Sequence, residues 1–121
     1  MAKISPRCEV ELADGKIIAR KEAGIGWLIF NNPDRRNAVS VAMWAAIPEV
    51  MADFAADPAV RVIVLTGAGE KAFVAGADIS EFEQTRSSAE SVAAYNNLGR
   101  LAHAAIAGVD KPTIAMIRGV C

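Results

Sequence analysis

The 121-residue sequence has little of several features that mark specialised protein classes. Its two cysteines, Cys8 and Cys121, have neither a metal-ligand spacing nor a C-x-x-C spacing, so no metal site and no disulfide framework is indicated. We expect both thiols to be reduced. With 13 basic and 14 acidic residues the net charge is -1, and no basic cluster stands out, which argues against a nucleic-acid partner.

Long apolar runs are also lacking, and none approaches the roughly 18 residues that a membrane span needs. The N-terminal stretch MAKISPRCEVELADG has no hydrophobic core segment and carries acidic residues early. It therefore resembles neither a signal peptide nor a transit peptide. The sequence predicts a soluble, cytoplasmic protein without a membrane partner.

Hydrophobic residues, by contrast, make up 53% of the chain, and alanine accounts for much of the excess. Such a composition suits tightly packed helices or a buried subunit interface. The length is that of one domain, with room for a modest core. We therefore expect a single domain, and no linker or low-complexity segment interrupts it.

The first half of the chain predicts three strands and a helix. Residues 8–12 and 16–24 predict strands joined by the turn ADG, and a third apolar strand covers 24–32. Ser40 is a suitable N-cap for a helix over the following residues, in which Pro48 should produce a kink. The predicted apolar stripe of this helix consists of Val41, Trp44, Ile47, Met51 and Phe54.

The second half predicts a buried strand over 60–67, a long helix over 87–108 and another buried strand over 111–119. Ser87 and Glu90 have the spacing of a capping box at the start of that helix. Strands that alternate with helices indicate an α/β protein with parallel connections. Because a parallel sheet needs cover on both faces, an end directly after a buried strand suggests a truncated domain.

One motif, G-x-G-x-x-A at Gly67, Gly69 and Ala72, matches the dinucleotide-binding fingerprint. That fingerprint requires a helix to begin at its last small residue, so that the helix N-terminus holds the pyrophosphate. The residues from 73 to 78 do not predict a helix, and the strand comes late in the chain. A strand-ending turn is therefore the preferred interpretation, with dinucleotide binding as an alternative.

The next residues, FVAGADI at 73–79, are small where neither strand nor helix is favoured. Small side chains let a ligand approach the main chain, and an N–H that points into a cleft can stabilise an oxyanion. On spacing alone, a simpler explanation is a loop that passes close to a neighbouring strand. The residues by themselves favour this simpler explanation.

Four segments together resemble the crotonase, or enoyl-CoA hydratase/isomerase, superfamily. They are FNNPDRRNAVS, VRVIVLTGAG, GEKAFVAGADISEF and KPTIAMIRGVC, and in this order they place the resemblance over about residues 15–121. The resemblance implies an α/β fold, a spiral of ββα units, truncated after the third or fourth buried strand. Residues 1–121 would then form the N-terminal part of a single core domain, without its C-terminal catalytic and trimerisation part.

The resemblance also implies a site for an acyl-CoA thioester. The backbone N–H of Ala77 corresponds to the first oxyanion donor, the catalytic group of this part of the family's site. Ala75, Gly76, Asp78 and Ile79 correspond to positions that line the CoA pocket. Asp78 is as well explained as a helix-capping residue.

Further substrate-binding candidates follow from the loop before the first helix. Arg35, Arg36 and Ala38 correspond to positions near the CoA nucleotide, where paired guanidinium groups suit phosphate. A solvated surface pair explains the two arginines equally well, and Lys71 is a weaker candidate of the same kind. The single histidine, His103, lies within the alanine-rich second helix and is expected to be a helix residue, not a catalytic base.

The implied activity is hydration of a 2-enoyl-CoA through an enolate, a reaction of fatty acid metabolism. CoA enters as part of the substrate, so no separate cofactor and no metal are expected. The family's second oxyanion donor and its two glutamates fall beyond Cys121, so the 121-residue chain alone should be inactive or nearly so. The alternatives are an enoyl-CoA isomerase, an acyl-CoA hydrolase or a catalytically inactive fragment that binds a CoA thioester. A full-length form should be a homotrimer or hexamer.

Overall fold

A computed structural model describes residues 7–75 and 89–119. Five strands form one sheet in sequence order, with antiparallel pairing in the first three and parallel pairing from the third to the fifth. The predicted α/β arrangement with parallel connections is thereby confirmed. The strands are β1 (Arg7–Leu12), β2 (Ile17–Glu22), β3 (Ile25–Phe30), β4 (Val62–Gly67) and β5 (Thr113–Met116).

Tight turns join the antiparallel strands. The predicted turn between β1 and β2 is present, and its residues Ala13, Asp14 and Gly15 all have positive φ. The turn between β2 and β3 has only two residues, Ala23 and Gly24, at φ 54° and 83°. Two consecutive positive φ values give the turn a twist that matches that of the flanking strands. These turns set the register of the hairpins.

Helix α1 (Val41–Ala56) begins as predicted, since the Ser40 hydroxyl accepts a hydrogen bond of 3.3 Å from the Met43 N–H. The helix continues through Pro48 to Ala56. Of the predicted apolar stripe, Ile47, Met51 and Phe54 are buried and Trp44 is half-buried against the core, whereas Val41 at the start of the helix is only half-buried. The side chains that α1 buries against the sheet are Met43, Ala46, Ile47, Val50, Met51 and Phe54.

Helix α2 (Ala89–Ala107) packs on α1 and ends as predicted, with the Gly108 N–H bonded to the Ala104 carbonyl at 2.8 Å. Trp44 of α1 contacts α2 twice: its indole N–H donates to the Tyr95 hydroxyl, and its ring lies 5.6 Å from that of His103. His103 is exposed on the helix. The predicted cap at Ser87 lies outside the described residues.

The two parallel strands predicted to be buried differ in the structure. β4 is buried at its four central residues, as predicted. β5 is one of the two edge strands of the described sheet, and the side chains of Ile114 and of Ile117 just after it are 54% and 50% exposed. The prediction that β5 is buried is therefore wrong for the described part of the chain, where β5 pairs with β4 on one side alone. Neither described helix is long and apolar enough to cross a membrane.

Candidate functional site

The candidate site lies at the carboxyl ends of the three parallel strands. Loop A (residues 31–40) follows β3, loop B (residues 68–75) follows β4, and residues 117–119 follow β5. Because these strands are neighbours, the segments that leave them meet at one edge of the sheet. In α/β sheets this edge is where ligands usually bind.

Loop A is folded on itself by two asparagines. A short 3₁₀ turn covers Pro33–Arg35, and Arg36 and Asn37 then both have positive φ, at 52° and 60°. The Asn37 N–H donates to the Asn32 carbonyl at 2.7 Å, and the Asn32 N–H donates to the Asn37 side-chain oxygen at 2.9 Å. The Asn32 side-chain amide donates to the Ala38 carbonyl at 2.9 Å. These bonds within the loop give loop A a defined shape.

Loop B returns closely over the end of its own strand at Gly67. A Cβ at this residue would lie 2.2 Å from the Phe73 carbonyl oxygen and 2.6 Å from the Asn37 side-chain nitrogen. Glycine is thus required here by close approach of the backbone. Residues 68–75 are not helical. The G-x-G-x-x-A motif consequently lacks the helix that dinucleotide binding needs, and its interpretation as a strand-ending turn agrees with the structure.

The two loops are joined directly by hydrogen bonds. The side-chain amide of Asn37 donates to the Ala68 carbonyl at 3.0 Å and to the Ala72 carbonyl at 2.9 Å. The Ala75 N–H donates to the Arg36 carbonyl at 3.1 Å. Loop B is therefore fixed to loop A near its beginning and at its end.

The segment after β5 reaches the same place through Gly119. Its φ is +72°, and a Cβ there would lie 2.2 Å from the Lys71 carbonyl oxygen. A larger residue would meet both a steric clash and a backbone conformation that glycine favours. The chain that follows β5 is thereby directed against loop B.

A cleft of about 270 Å³ lies between loops A and B. Four charged residues line it, the cationic Arg36 and Lys71 and the anionic Asp34 and Glu70, and the remaining lining residues are Pro33, Asn37, Ala68, Gly69 and Ala72. All four are exposed, so water screens their charges and the guanidinium and ammonium groups are accessible. The described residues contain no group of three His, Cys, Asp or Glu that could hold a metal ion.

The structure brings together some of the predicted site residues and not others. Arg36 and Lys71 line the cleft, whereas Arg35 is exposed in the same turn but does not line it. Ala38 is 8% exposed, and its N–H and carbonyl both bond within loop A. Ala75 is exposed at the end of loop B, with its N–H on Arg36. The predicted residues Gly76, Ala77, Asp78 and Ile79 lie outside the described residues.

Two asparagines that shape the site were not predicted from the sequence: Asn32 bonds within loop A, and Asn37 joins loop A to loop B. Asn37 has only 1% of its surface exposed and Asn32 7%. A signal was present in NNPDRRNA, because asparagine tolerates positive φ and its short amide bonds to nearby backbone. The partners of Asn37 in loop B lie more than 30 residues away along the chain, at Ala68 and Ala72. Only the folded chain shows them.

A second and larger groove, of about 390 Å³, lies between the β1–β2 hairpin and α1. The Lys21 ammonium lies 2.8 Å from a carboxylate oxygen of Asp53, which also lines the groove, and 2.8 Å from one of the neighbouring Asp57. Partial burial acts to lower the pKa of Lys21, but its bonds to the two carboxylates outweigh burial and raise it. The Lys21 hydrogen bond, followed by one from the Ala59 N–H, lowers the pKa of Asp57. This cluster is an ion-pair network and offers no reactive group.

Comparison with known proteins assigns the chain to a family and its fold to a class. The family model described as enoyl-CoA hydratase/isomerase matches residues 20–121. A solved structure described as an enoyl-CoA hydratase/carnithine racemase from Magnetospirillum magneticum superimposes with a TM-score of 0.82 at 37% identity, over 89% of this chain and 40% of that one. The chain belongs to the enoyl-CoA hydratase/isomerase family and has the mixed α/β fold of its crotonase relatives.

Two characterised relatives show how close the similarity is. The chain is 35% identical over 108 residues to the crotonyl-CoA hydratase of Syntrophomonas wolfei subsp. wolfei. The aligned segment covers 89% of this chain and 41% of that protein. It is 36% identical over 104 residues to the hydroxycinnamoyl-CoA hydratase-lyase of Pseudomonas fluorescens, covering 83% and 37%. The chain thus spans about 40% of the length of the relatives it matches.

Proposed function

We propose that this chain provides the acyl-CoA-binding part of an enoyl-CoA hydratase-like site. The observation that carries the proposal is the cleft between loops A and B, at the carboxyl ends of parallel strands, in a member of this family. Arg36 supplies a guanidinium and Lys71 an ammonium at its rim. Both groups suit the phosphates of CoA.

The thioester carbonyl of the substrate would lie against the main chain just after loop B. There the backbone N–H of Ala77 would donate to the carbonyl oxygen as negative charge develops on it in the enolate. One such donor contributes a factor of about 10²–10³ in rate when it is positioned in advance. Gly76 would let the thioester approach the backbone, while Ala75, Asp78 and Ile79 would line the pantetheine path. The fixed end of loop B at Ala75 supports this placement.

The proposed reaction is addition of water across the 2,3 double bond of an enoyl-CoA. Relatives named as hydratases support it, and the hydratase-lyase shows that related chains carry related reactions on CoA thioesters. CoA would enter as part of the substrate, with no separate cofactor. We further propose a cytoplasmic enzyme that assembles as a trimer or hexamer in its full-length form.

Calorimetric titration with crotonyl-CoA, with NAD as the competitor ligand, tests the binding part. Arg36→Gln and Lys71→Gln should each raise Kd about tenfold, because each loses a charge-assisted contact of roughly 1.5 kcal/mol. Arg61→Gln is the matched control, since Arg61 is equally exposed but lies at the opposite end of β4. Absence of crotonyl-CoA binding, or equal effects in all three variants, would contradict the proposal.

Turnover separates catalysis from binding. The loss of the enoyl thioester absorbance, followed for crotonyl-CoA at saturating concentration, reports hydration directly. The second candidate is a CoA-thioester-binding protein without chemistry. Binding with no measurable turnover would favour that candidate, and turnover that needs no other chain would favour the enzyme.

A further inference from the structure

Asn37 uses both polar atoms of its side chain, the oxygen within loop A and the nitrogen to hold loop B against loop A. It is 1% exposed, and its backbone N–H and side-chain oxygen both bond to Asn32 in loop A. Its side-chain nitrogen donates to two carbonyl oxygens of loop B, those of Ala68 and Ala72. An amide has one acceptor oxygen and two donor hydrogens, which is the set that these partners require. No other side chain of similar size supplies it.

The backbone at Asn37 is equally selective. Its φ of 60° lies in the left-handed region, which asparagine tolerates better than most residues with a Cβ. Directly before it, the carbonyl of Arg36 accepts the Ala75 N–H. Asn37, which bonds to the beginning of loop B, is therefore next in sequence to Arg36, which bonds to its end.

We infer that Asn37 is a positioning residue for the cleft between loops A and B. Its amide sets the separation of the two cleft walls, and the adjoining Arg36 carbonyl holds the end of loop B at Ala75. The inference rests on the proposed function for the role of that cleft, and it deepens the proposal by naming the group that holds the cleft in shape.

Two variants and one control test the inference in the full chain. Asn37→Asp keeps the size and shape of the side chain but places a carboxylate oxygen against the carbonyls of Ala68 and Ala72. These two acceptors then lose their hydrogen-bond donor, which is destabilising. Asn37→Gly keeps the positive φ, removes the side-chain bonds and adds no charge. Asn31→Asp is the control, because the Asn31 amide donates to the Gly15 carbonyl at 2.9 Å, away from the cleft.

The first readout needs no ligand. Hydrogen exchange at the Ala75 N–H should quicken at least tenfold in Asn37→Gly and Asn37→Asp, while exchange in β4 and in Asn31→Asp stays as in the unmodified protein. If Ala75 exchanges at the same rate in all of them, the inference is overturned. This readout holds even where the unmodified protein binds no acyl-CoA, a result that would overturn the proposed function alone.

The second readout is the Kd for crotonyl-CoA, measured where circular dichroism shows each variant fully folded. We expect at least a tenfold increase for both Asn37 variants and less than a twofold change for Asn31→Asp. The defect of Asn37→Asp should shrink as the pH falls, because a protonated carboxyl regains one donor, whereas that of Asn37→Gly should not. Unchanged affinity in a folded Asn37 variant would mean that Asn37 serves stability only.

Discussion

Gly67→Ala is the sharpest test of how the strand end and the two loops fit together. The new Cβ would lie 2.2 Å from the Phe73 carbonyl oxygen, and a separation under 3.0 Å requires something to shift. It would also lie 2.6 Å from the Ala72 carbonyl oxygen and from the Asn37 side-chain nitrogen. The nearest neighbours are main-chain atoms, so loop B has to move away and the Asn37 bonds have to lengthen or break.

The expected cost follows from these contacts. Loss of the two Asn37 bonds to loop B costs about 1 kcal/mol each, and overpacking of a filled space adds about 1–3 kcal/mol. The lower entropy of the unfolded alanine chain offsets about 0.4–1 kcal/mol. The free energy of unfolding should therefore fall by about 3 kcal/mol, which for a chain of this size lowers Tm by about 12 °C.

Urea and thermal unfolding followed by circular dichroism measure this change. Gly99→Ala is the matched control, since Gly99 lies within α2 and a Cβ there meets nothing within 4 Å. That substitution should stabilise the protein by about 0.5–1 kcal/mol, the helix-propensity difference between the two residues. The reasoning is refuted if Gly67→Ala lies within about 0.5 kcal/mol of the unmodified protein, or if both substitutions change stability in the same direction.

Three further predictions concern stability away from the site. The lowered pKa of Asp57 gives stability that is present above its ordinary pKa of 3.8 and lost as the pH falls through the lower folded value. Asp57→Asn should therefore cost stability at pH 7, and the cost should decrease steadily in urea titrations as the pH is lowered below 3.8; a cost independent of pH would contradict the prediction. Lys111→Met should lower the free energy of unfolding by about 1–3 kcal/mol, because the Lys111 ammonium donates to the carbonyls of Phe54 and Asp57 at 2.6 Å each. A decrease of less than about 0.5 kcal/mol in chemical denaturation would refute this prediction. Ile114→Thr should change the free energy of unfolding by less than about 0.5 kcal/mol and lower light scattering at high protein concentration, since this side chain is 54% exposed. A loss of stability above about 2 kcal/mol would mean that the side chain is buried.

The order of strands and helices followed from the sequence because local signals agreed with the final contacts. The residues ADG gave the turn of the first hairpin, Ser40 gave the start of α1, and the apolar run at 60–67 gave β4, whereas the turn at Ala23 and Gly24 had been included in the predicted strands. In each case the side chains that decide the element are near one another along the chain. The resemblance to the family rested on the same order of segments, and the family assignment confirms it.

The tertiary structure alone decided how the site is held. The sequence marked Arg36 and Lys71 as phosphate candidates, but the fold brought these two to one cleft and left Arg35 outside it. Burial of β5 was predicted from its composition and proved wrong, since burial depends on what packs beside a strand. The bonds from Asn37 to loop B join residues over 30 positions apart, and no local pattern encodes such a pair. Composition and periodicity determine which elements form, whereas long-range contacts determine which side chains meet.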